Sequence, residues 1–214
     1  MKLRKKLLIS AFMTLVSTQL LATPIFSFEI DGDTFLNSFS IQNNSNAGES
    51  VTRFQLEIGS TDTCFDTLFA GSDDINPCSF SSNAAKQFSP ANGTDFATGL
   101  VEPVLVPDAS TLLDISFTRF TPGNRFNWDI DVDFNDGGVA VAGSDLIGAT
   151  ALIDFSDGQR LIGELIGVAG NPNASVFVVS GIVPVPTVSV PSGVGIFLLG
   201  IFALACRKFR ITRI

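Results

Sequence analysis

Short apolar runs separated by turn-forming residues fill the chain between residues 23 and 182. Phenylalanine, valine, isoleucine and threonine dominate the runs, and glycine, asparagine, aspartate, proline and serine cluster between them, which is the pattern of β-strands joined by turns. We predict strands at residues 25–30, 34–42, 51–58, 111–118, 125–134, 149–155, 159–167 and 175–182. Asp157-Gly158 predicts a two-residue type I′ turn between two of them. Without a repeat of fixed period, this pattern predicts an all-β fold, a jelly-roll-like antiparallel β-sandwich.

Both ends of the chain differ from this strand-rich middle. Four basic residues, an apolar run and the small residue Ala22 make residues 1–22 typical of a secretory signal peptide. An uncharged apolar run at residues 193–206, followed by basic residues, predicts one transmembrane helix with a cytoplasmic tail. The predicted order is signal peptide 1–22, ectodomain 23–182, proline-rich linker 183–192, transmembrane helix 193–206 and basic tail 207–214.

Charge is segregated along the chain. All 21 acidic residues lie between Glu29 and Glu164, whereas only five of the 13 basic residues lie in that region, so the middle carries 5 − 21 = −16. A domain this acidic repels nucleic acid and anionic lipid headgroups, and it attracts divalent cations. We therefore expect no nucleic-acid partner. The basic flanks predict that both ends stay cytoplasmic during insertion while the middle crosses the membrane.

Cysteine and histidine usage narrows the possible chemistry. Cys64 and Cys78 are the only cysteines of the middle, and in an exported domain they predict one disulfide. The chain has no histidine, which excludes Ser-His-Asp and Cys-His catalysis and removes the commonest zinc ligand. We predict that the protein is not an enzyme. A glycoside hydrolase built on paired carboxylates is a remote alternative.

The most regular stretch of the middle is the alternation at residues 126–135. Apolar residues, among them Trp128, alternate with Asn127, Asp129, Asp131 and Asp133, so one face of a strand would be apolar and the other acidic. Two interpretations stay open. Asp129, Asp131, Asp133 and Asp136 could hold a calcium ion through their oxygen atoms. The interpretation that we favour is a solvated acidic face, and we predict no other cofactor.

The C-terminal segment resembles the PEP-CTERM sorting signal of Gram-negative bacteria. Val183-Pro184-Val185-Pro186 stands where that family has its proline motif, residues 193–206 stand for the helix, and Arg207-Lys208-Phe209-Arg210 for the basic tail. Val185 departs from the glutamate that is usual in the motif. The resemblance implies an exosortase as partner, with Pro184, Val185 and Pro186 as the sorting motif. It also implies general secretory export, a transient stay in the inner membrane and delivery to the cell surface or an extracellular biofilm matrix.

The residues and the resemblance together predict an exported, non-enzymatic, surface- or matrix-associated β-sandwich protein that an exosortase processes at its C-terminus. A polysaccharide-binding module, stabilised by calcium, is the alternative.

Overall fold

A computed structural model of the protein describes residues 23–36, 38–68, 85–136 and 140–185. The predicted signal peptide, transmembrane helix and basic tail lie outside these residues, as do Cys78 and Pro186. Among the residues described, no helix has the length and apolar character needed to cross a bilayer. The chain divides into two compact units, residues 1–184 and residues 185–214.

The regular secondary structure of the described residues consists mainly of antiparallel strands. They are β1 (Phe26–Asp31), β2 (Phe39–Asn43), β3 (Val51–Glu57), β4 (Thr63–Phe65), β5 (Ser89–Pro90), β6 (Leu112–Phe120), β7 (Arg125–Asp129), β8 (Val132–Phe134), β9 (Thr150–Phe155), β10 (Gln159–Val168) and β11 (Asn171–Pro184). One short helix, α1 (Thr94–Thr98), and two 3-10 turns, Gly59–Thr61 and Gly143–Leu146, accompany them. Nine strands form one sheet in the order β5-β7-β2-β1-β11-β10-β9-β3-β6, and β4 pairs with β8 in a second, two-stranded sheet. The predicted all-β, antiparallel class is confirmed.

The large sheet curls, so strands that are distant in its order face each other across one core. The ring centroids of Phe28 on β1 and Phe54 on β3 are 5.0 Å apart, and those of Phe117 on β6 and Phe126 on β7 are 5.2 Å apart. Trp128 on β7 is fully buried, with its ring 5.7 Å from that of Phe54. Since aromatic side chains bury large apolar areas and favour edge-to-face contacts, this cluster forms the centre of the core.

Helix α1 and the residues after it form hydrogen bonds to both β7 and β6, which are distant in the order of the sheet but face each other because the sheet curls. Thr94 Oγ1 donates a hydrogen bond to the Asn127 carbonyl at 3.2 Å, and the Thr118 N–H donates to the Gly99 carbonyl at 2.8 Å. Gly99 ends the helix with a φ of +63°, a left-handed conformation in which glycine avoids the penalty of a Cβ atom. This segment therefore links the two strands, β6 and β7, near the opposite ends of the curled sheet.

All eight predicted strands overlap observed strands, but residues 125–134 do not form the single strand that was predicted. They form β7 and β8, which belong to different sheets. The break lies at Asp131, whose N–H donates to the Lys86 carbonyl and whose carbonyl accepts from the Asp66 N–H. The backbone leaves the large sheet here because its hydrogen-bond partners belong to another segment.

Two strand boundaries differ from the predictions, and two short strands were not predicted. The predicted strand 34–42 begins only at Phe39, because a turn closed by the Leu36 N–H and the Asp33 carbonyl precedes it. Strands β4 and β5 were not predicted, since three and two residues are too short to show a pattern. Strand β11 continues past residue 182 to Pro184, which pairs with Gln159.

The predicted type I′ turn at Asp157-Gly158 is also wrong. The Gly158 N–H donates to the Phe155 carbonyl, and Gly158 has a φ of +85°, whereas Asp157 does not have a positive φ. A type I′ turn needs positive φ at both central residues. The β9–β10 connection is instead a longer turn that ends in a left-handed glycine.

Candidate functional site: a buried carboxylate cluster

The two-stranded sheet brings acidic side chains from two distant segments together. Cys64 pairs with Asp133 across the β4–β8 ladder. Continuing this register by two residues places Asp66 opposite Asp131, where the Asp66 N–H donates to the Asp131 carbonyl at 3.0 Å. Directly opposed residues in an antiparallel pair point to the same face, and so do residues two apart along a strand. Asp66, Asp131 and Asp133 therefore share one face of this small sheet.

The three carboxyl groups are close together and buried. One oxygen from each lies within 4.8 Å of the others. The exposed fractions are 3% for Asp66, 5% for Asp131 and 2% for Asp133. On the opposite face of the same strands, Phe65 and Val132 are fully buried in the hydrophobic core. Both faces of the small sheet are thus removed from solvent.

Burial and mutual repulsion change the acidity of this cluster. The pKa of Asp66 is raised to about 7, first by burial and then by the neighbouring carboxylates of Asp133 and Asp108. The pKa of Asp131 is also raised to about 7, by burial and then by Asp133 and Asp66, although a hydrogen bond from the Val132 N–H opposes this change. Burial disfavours the charged form of a carboxyl group, and nearby like charges add to that effect.

Ion pairing does not relieve this repulsion at two of the three groups. Within the described ranges, neither Asp66 nor Asp131 forms an ion pair. Lys86, whose backbone joins both of them, directs its ammonium group elsewhere: Nζ lies 3.0 Å from Asp129 Oδ2 and donates to the Phe35 carbonyl at 2.7 Å. Oδ1 of Asp66 is buried and has no hydrogen-bond partner among the residues that the structure describes.

The structure groups the four predicted calcium ligands differently from the sequence pattern. Asp131 and Asp133 belong to the cluster, whereas Asp129 is the ion-pair partner of Lys86 and Asp136 is exposed. The favoured interpretation, a solvated acidic face, is wrong, because Asp129, Asp131 and Asp133 are all at most 5% exposed. The periodic pattern predicted one solvated face for this strand, whereas in the fold the Asp131 and Asp133 side chains are buried beside Asp66 and the Asp129 side chain pairs with Lys86.

Asp66 was missed by sequence reasoning. It follows Cys64 by two residues in a stretch, residues 63–69, that was assigned to no strand. Asp66 is the only charged residue of this stretch, but nothing in the sequence shows that Asp131 would be its partner. The register of β4 against β8 decides that pairing.

Cys64 lies beside the cluster and is 3% exposed, with its Sγ atom 3.1 Å from Asn135 Oδ1. Cys78 lies outside the described residues, so the Cys64–Cys78 disulfide stays a prediction. Of the predicted sorting motif, Pro184 ends β11 and Val185 follows it, while Pro186 lies outside the described residues.

A groove of about 520 Å³ lies apart from this cluster, lined in part by Arg53, Leu105 and Asp114. Hydrogen bonds from Arg53 lower the pKa of Asp114, which keeps that carboxylate charged. A general acid in glycoside hydrolysis needs a raised pKa, so this carboxylate does not have the property that such a role requires.

Comparison of the chain with known protein families, with curated proteins and with solved structures finds no match in any of the three.

Proposed function

We propose that the protein is an exported, non-enzymatic component of the cell surface or extracellular matrix, held at the membrane by its C-terminal segment until an exosortase cleaves that segment off. The curled sheet would serve as its sandwich-like, jelly-roll-like ectodomain. The proposal includes the signal peptide, the inner membrane as a transient location and a Gram-negative host.

The position of strand β11 carries this proposal. Every described strand ends at or before Pro184, the first proline of the predicted sorting motif. Residues 185–214 form a separate unit. Cleavage after residue 185 would therefore remove no described strand, which is the property that a protein released by C-terminal processing needs.

The same strand gives the motif a defined starting point. Pro184 pairs with Gln159 at the end of the β10–β11 ladder, and β11 lies between β1 and β10 within the sheet. Proline lacks the N–H that a continuing ladder would use, so the ladder ends where the motif begins. A processing enzyme that acts on the motif would cut next to the end of the last described strand.

Processing can be tested by intact-mass measurement of surface-extracted protein from a strain that has an exosortase and from a matched deletion strain. We expect loss of residues 207–214 in the first strain and their retention in the second. Pro186→Ala should reduce processing, Val185→Glu should increase it, and Pro191→Ala serves as the control outside the motif. Surface protein that retains residues 207–214 in the strain with the enzyme would contradict the proposal.

A second candidate function, a calcium-stabilised polysaccharide-binding module, is favoured by one observation, the buried carboxylate cluster. Direct measurement of polysaccharide binding with and without calcium would test it.

A further inference from the structure

We propose that Asp66, Asp131 and Asp133 bind a divalent cation, that this ion is calcium, and that it fastens β4 to β8. The inference does not depend on export or on C-terminal processing, because it rests only on residues of the folded body.

The spacing of the carboxylates is the first argument. Calcium–oxygen distances are about 2.3–2.6 Å, so two oxygens on opposite sides of one calcium ion are about 4.6–5.2 Å apart. The three carboxyl oxygens all lie within 4.8 Å of one another, so each pair of them is close enough to bind the same calcium ion. Magnesium demands a near-ideal octahedron and usually keeps several water molecules, whereas calcium accepts an irregular set of oxygen ligands, which suits three carboxylates in a buried site better.

The buried Oδ1 oxygen of Asp66 also points to a cation. Within the described part of the chain it has no hydrogen-bond partner, although Asp66 is only 3% exposed. Buried polar atoms are almost always satisfied, and an unsatisfied one calls for an ion, a water molecule or another explanation. A cation beside Asp66 would satisfy this oxygen and would also remove the like-charge repulsion within the cluster.

The donor set determines the class of metal. The three ligands identified among the described residues are carboxylate oxygens, which suit hard cations such as calcium and are poor at selecting zinc or copper. The middle of the chain has a charge of 5 − 21 = −16, and such a field raises the local concentration of divalent cations.

The position of the site indicates what the ion does. Asp66 follows β4, whereas Asp131 and Asp133 belong to or adjoin β8, and β4 and β8 are only three residues long. A ladder this short has few hydrogen bonds of its own. An ion that bridges the two strands would hold the second sheet against the core, and removing the ion should loosen it.

The test uses the full chain purified in detergent, stripped of metal with a chelator and then titrated with CaCl2 at pH 7.5 while thermal unfolding is followed. Ligand binding to the native state raises the melting temperature with ligand concentration. We expect a rise of several degrees at millimolar calcium, a smaller rise with MgCl2, and one calcium ion per chain by equilibrium dialysis.

Three matched variants make the test specific. Asp66→Asn and Asp131→Asn should lose the calcium response, whereas Asp136→Asn, which changes an exposed carboxylate close to the site, should keep it. In the metal-free state Asp66→Asn and Asp131→Asn should melt no lower than the wild type, since each removes a buried repulsive charge. That result would also show that both variants fold.

The outcomes decide between an ion and a shared proton. Failure of millimolar CaCl2 to shift the wild-type melting temperature would overturn the proposal in favour of a cluster neutralised by protons. An equal shift with MgCl2 would overturn the assignment to calcium, and loss of the response in Asp136→Asn would overturn the assignment of the ligands. None of these results bears on the intact mass after C-terminal processing, so the two proposals can fail separately.

Discussion

Two pairs of antiparallel strands in this protein place a buried acid opposite a charged residue, with opposite consequences. Asp154 on β9 faces Arg160 on β10, and the two side chains form a bidentate ion pair at 2.5 and 2.8 Å. Asp66 lies opposite Asp131 in the continued β4–β8 register, so acid faces acid. Opposite charges across a ladder stabilise the pair and like charges destabilise it.

The contrast shows which region is complete by itself. The β9–β10 pair neutralises its own buried carboxylate, whereas the cluster at β4–β8 needs protons or a cation from outside. Mutation alone should change the contribution of the β9–β10 pair to stability. The contribution of the β4–β8 cluster should also change with pH and with metal.

The largest effect is expected from breaking the self-neutralised pair with Arg160→Met. The Asp154 side chain is 11% exposed, so the substitution leaves a carboxylate largely buried without its partner. Breaking a buried pair from one side costs about 3–5 kcal/mol, and we expect about 3 kcal/mol in the free energy of unfolding by denaturant titration. The double variant Arg160→Met/Asp154→Leu should recover part of this loss. An Arg160→Met protein as stable as the wild type would mean that Asp154 is solvated.

A smaller effect is expected when the pH of the metal-free protein changes. The pKa values of Asp66 and Asp131 are raised to about 7 in the folded protein, while unfolded aspartates titrate near about 3.9. Between these limits the folded state binds more protons than the unfolded state, so stability falls as pH rises from 5 to 7 and then levels off. Counting one proton for the coupled groups, the loss is about 2–3 kcal/mol.

The absence of histidine makes this pH window easy to interpret. Histidine is the side chain whose ordinary pKa falls between pH 5 and 8, so a change in stability there reports on shifted carboxyl groups. Saturating calcium should reduce the slope, because the ion competes with protons for the same oxygens. Denaturant titrations of the metal-free protein that give the same stability at pH 5 and pH 7 would show that the cluster does not hold extra protons.

The smallest effect is expected at the exposed ion pair between Arg53 and Asp114, whose side chains are 39% and 38% exposed. Exposed pairs contribute about 0.2–1 kcal/mol and are screened by salt. Arg53→Gln should therefore cost about 0.5 kcal/mol at low ionic strength, and less in 1 M NaCl. Chemical denaturation at both salt concentrations measures this. A cost as large as that of Arg160→Met would mean that exposure does not separate the two arginine–aspartate pairs.

The strands were predictable where they are long and where their two faces differ. In β1, and in β6 from Leu113 to Phe117, apolar residues alternate with polar ones, and the apolar positions are the buried ones. Prediction failed for β4 and β5 because a pattern needs more residues than they have. It failed at residues 125–134 because an unbroken alternation cannot show that the backbone changes partners at Asp131.

The candidate site was half predictable for the same reason. Asp131 and Asp133 were identified because three aspartates at every second position are unusual in a strand. Asp66 is 65 positions before Asp131 in the chain, and a pairing over that distance is set by the fold. The burial of these carboxylates was not predictable either, because Lys86, which pairs with Asp129, lies more than 40 positions before it in the chain.

The all-β class, the acidity of the middle of the chain and the absence of histidine chemistry could be predicted, because they follow from composition and local periodicity. The folded structure was needed to show that three aspartates share one buried face, that Lys86 neutralises Asp129 instead of the cluster, and that β11 ends at Pro184. These features depend on strand register and on which segment covers which face. Strand register and the burial of each face depend on contacts between residues far apart in the chain, and local sequence patterns do not reveal such contacts.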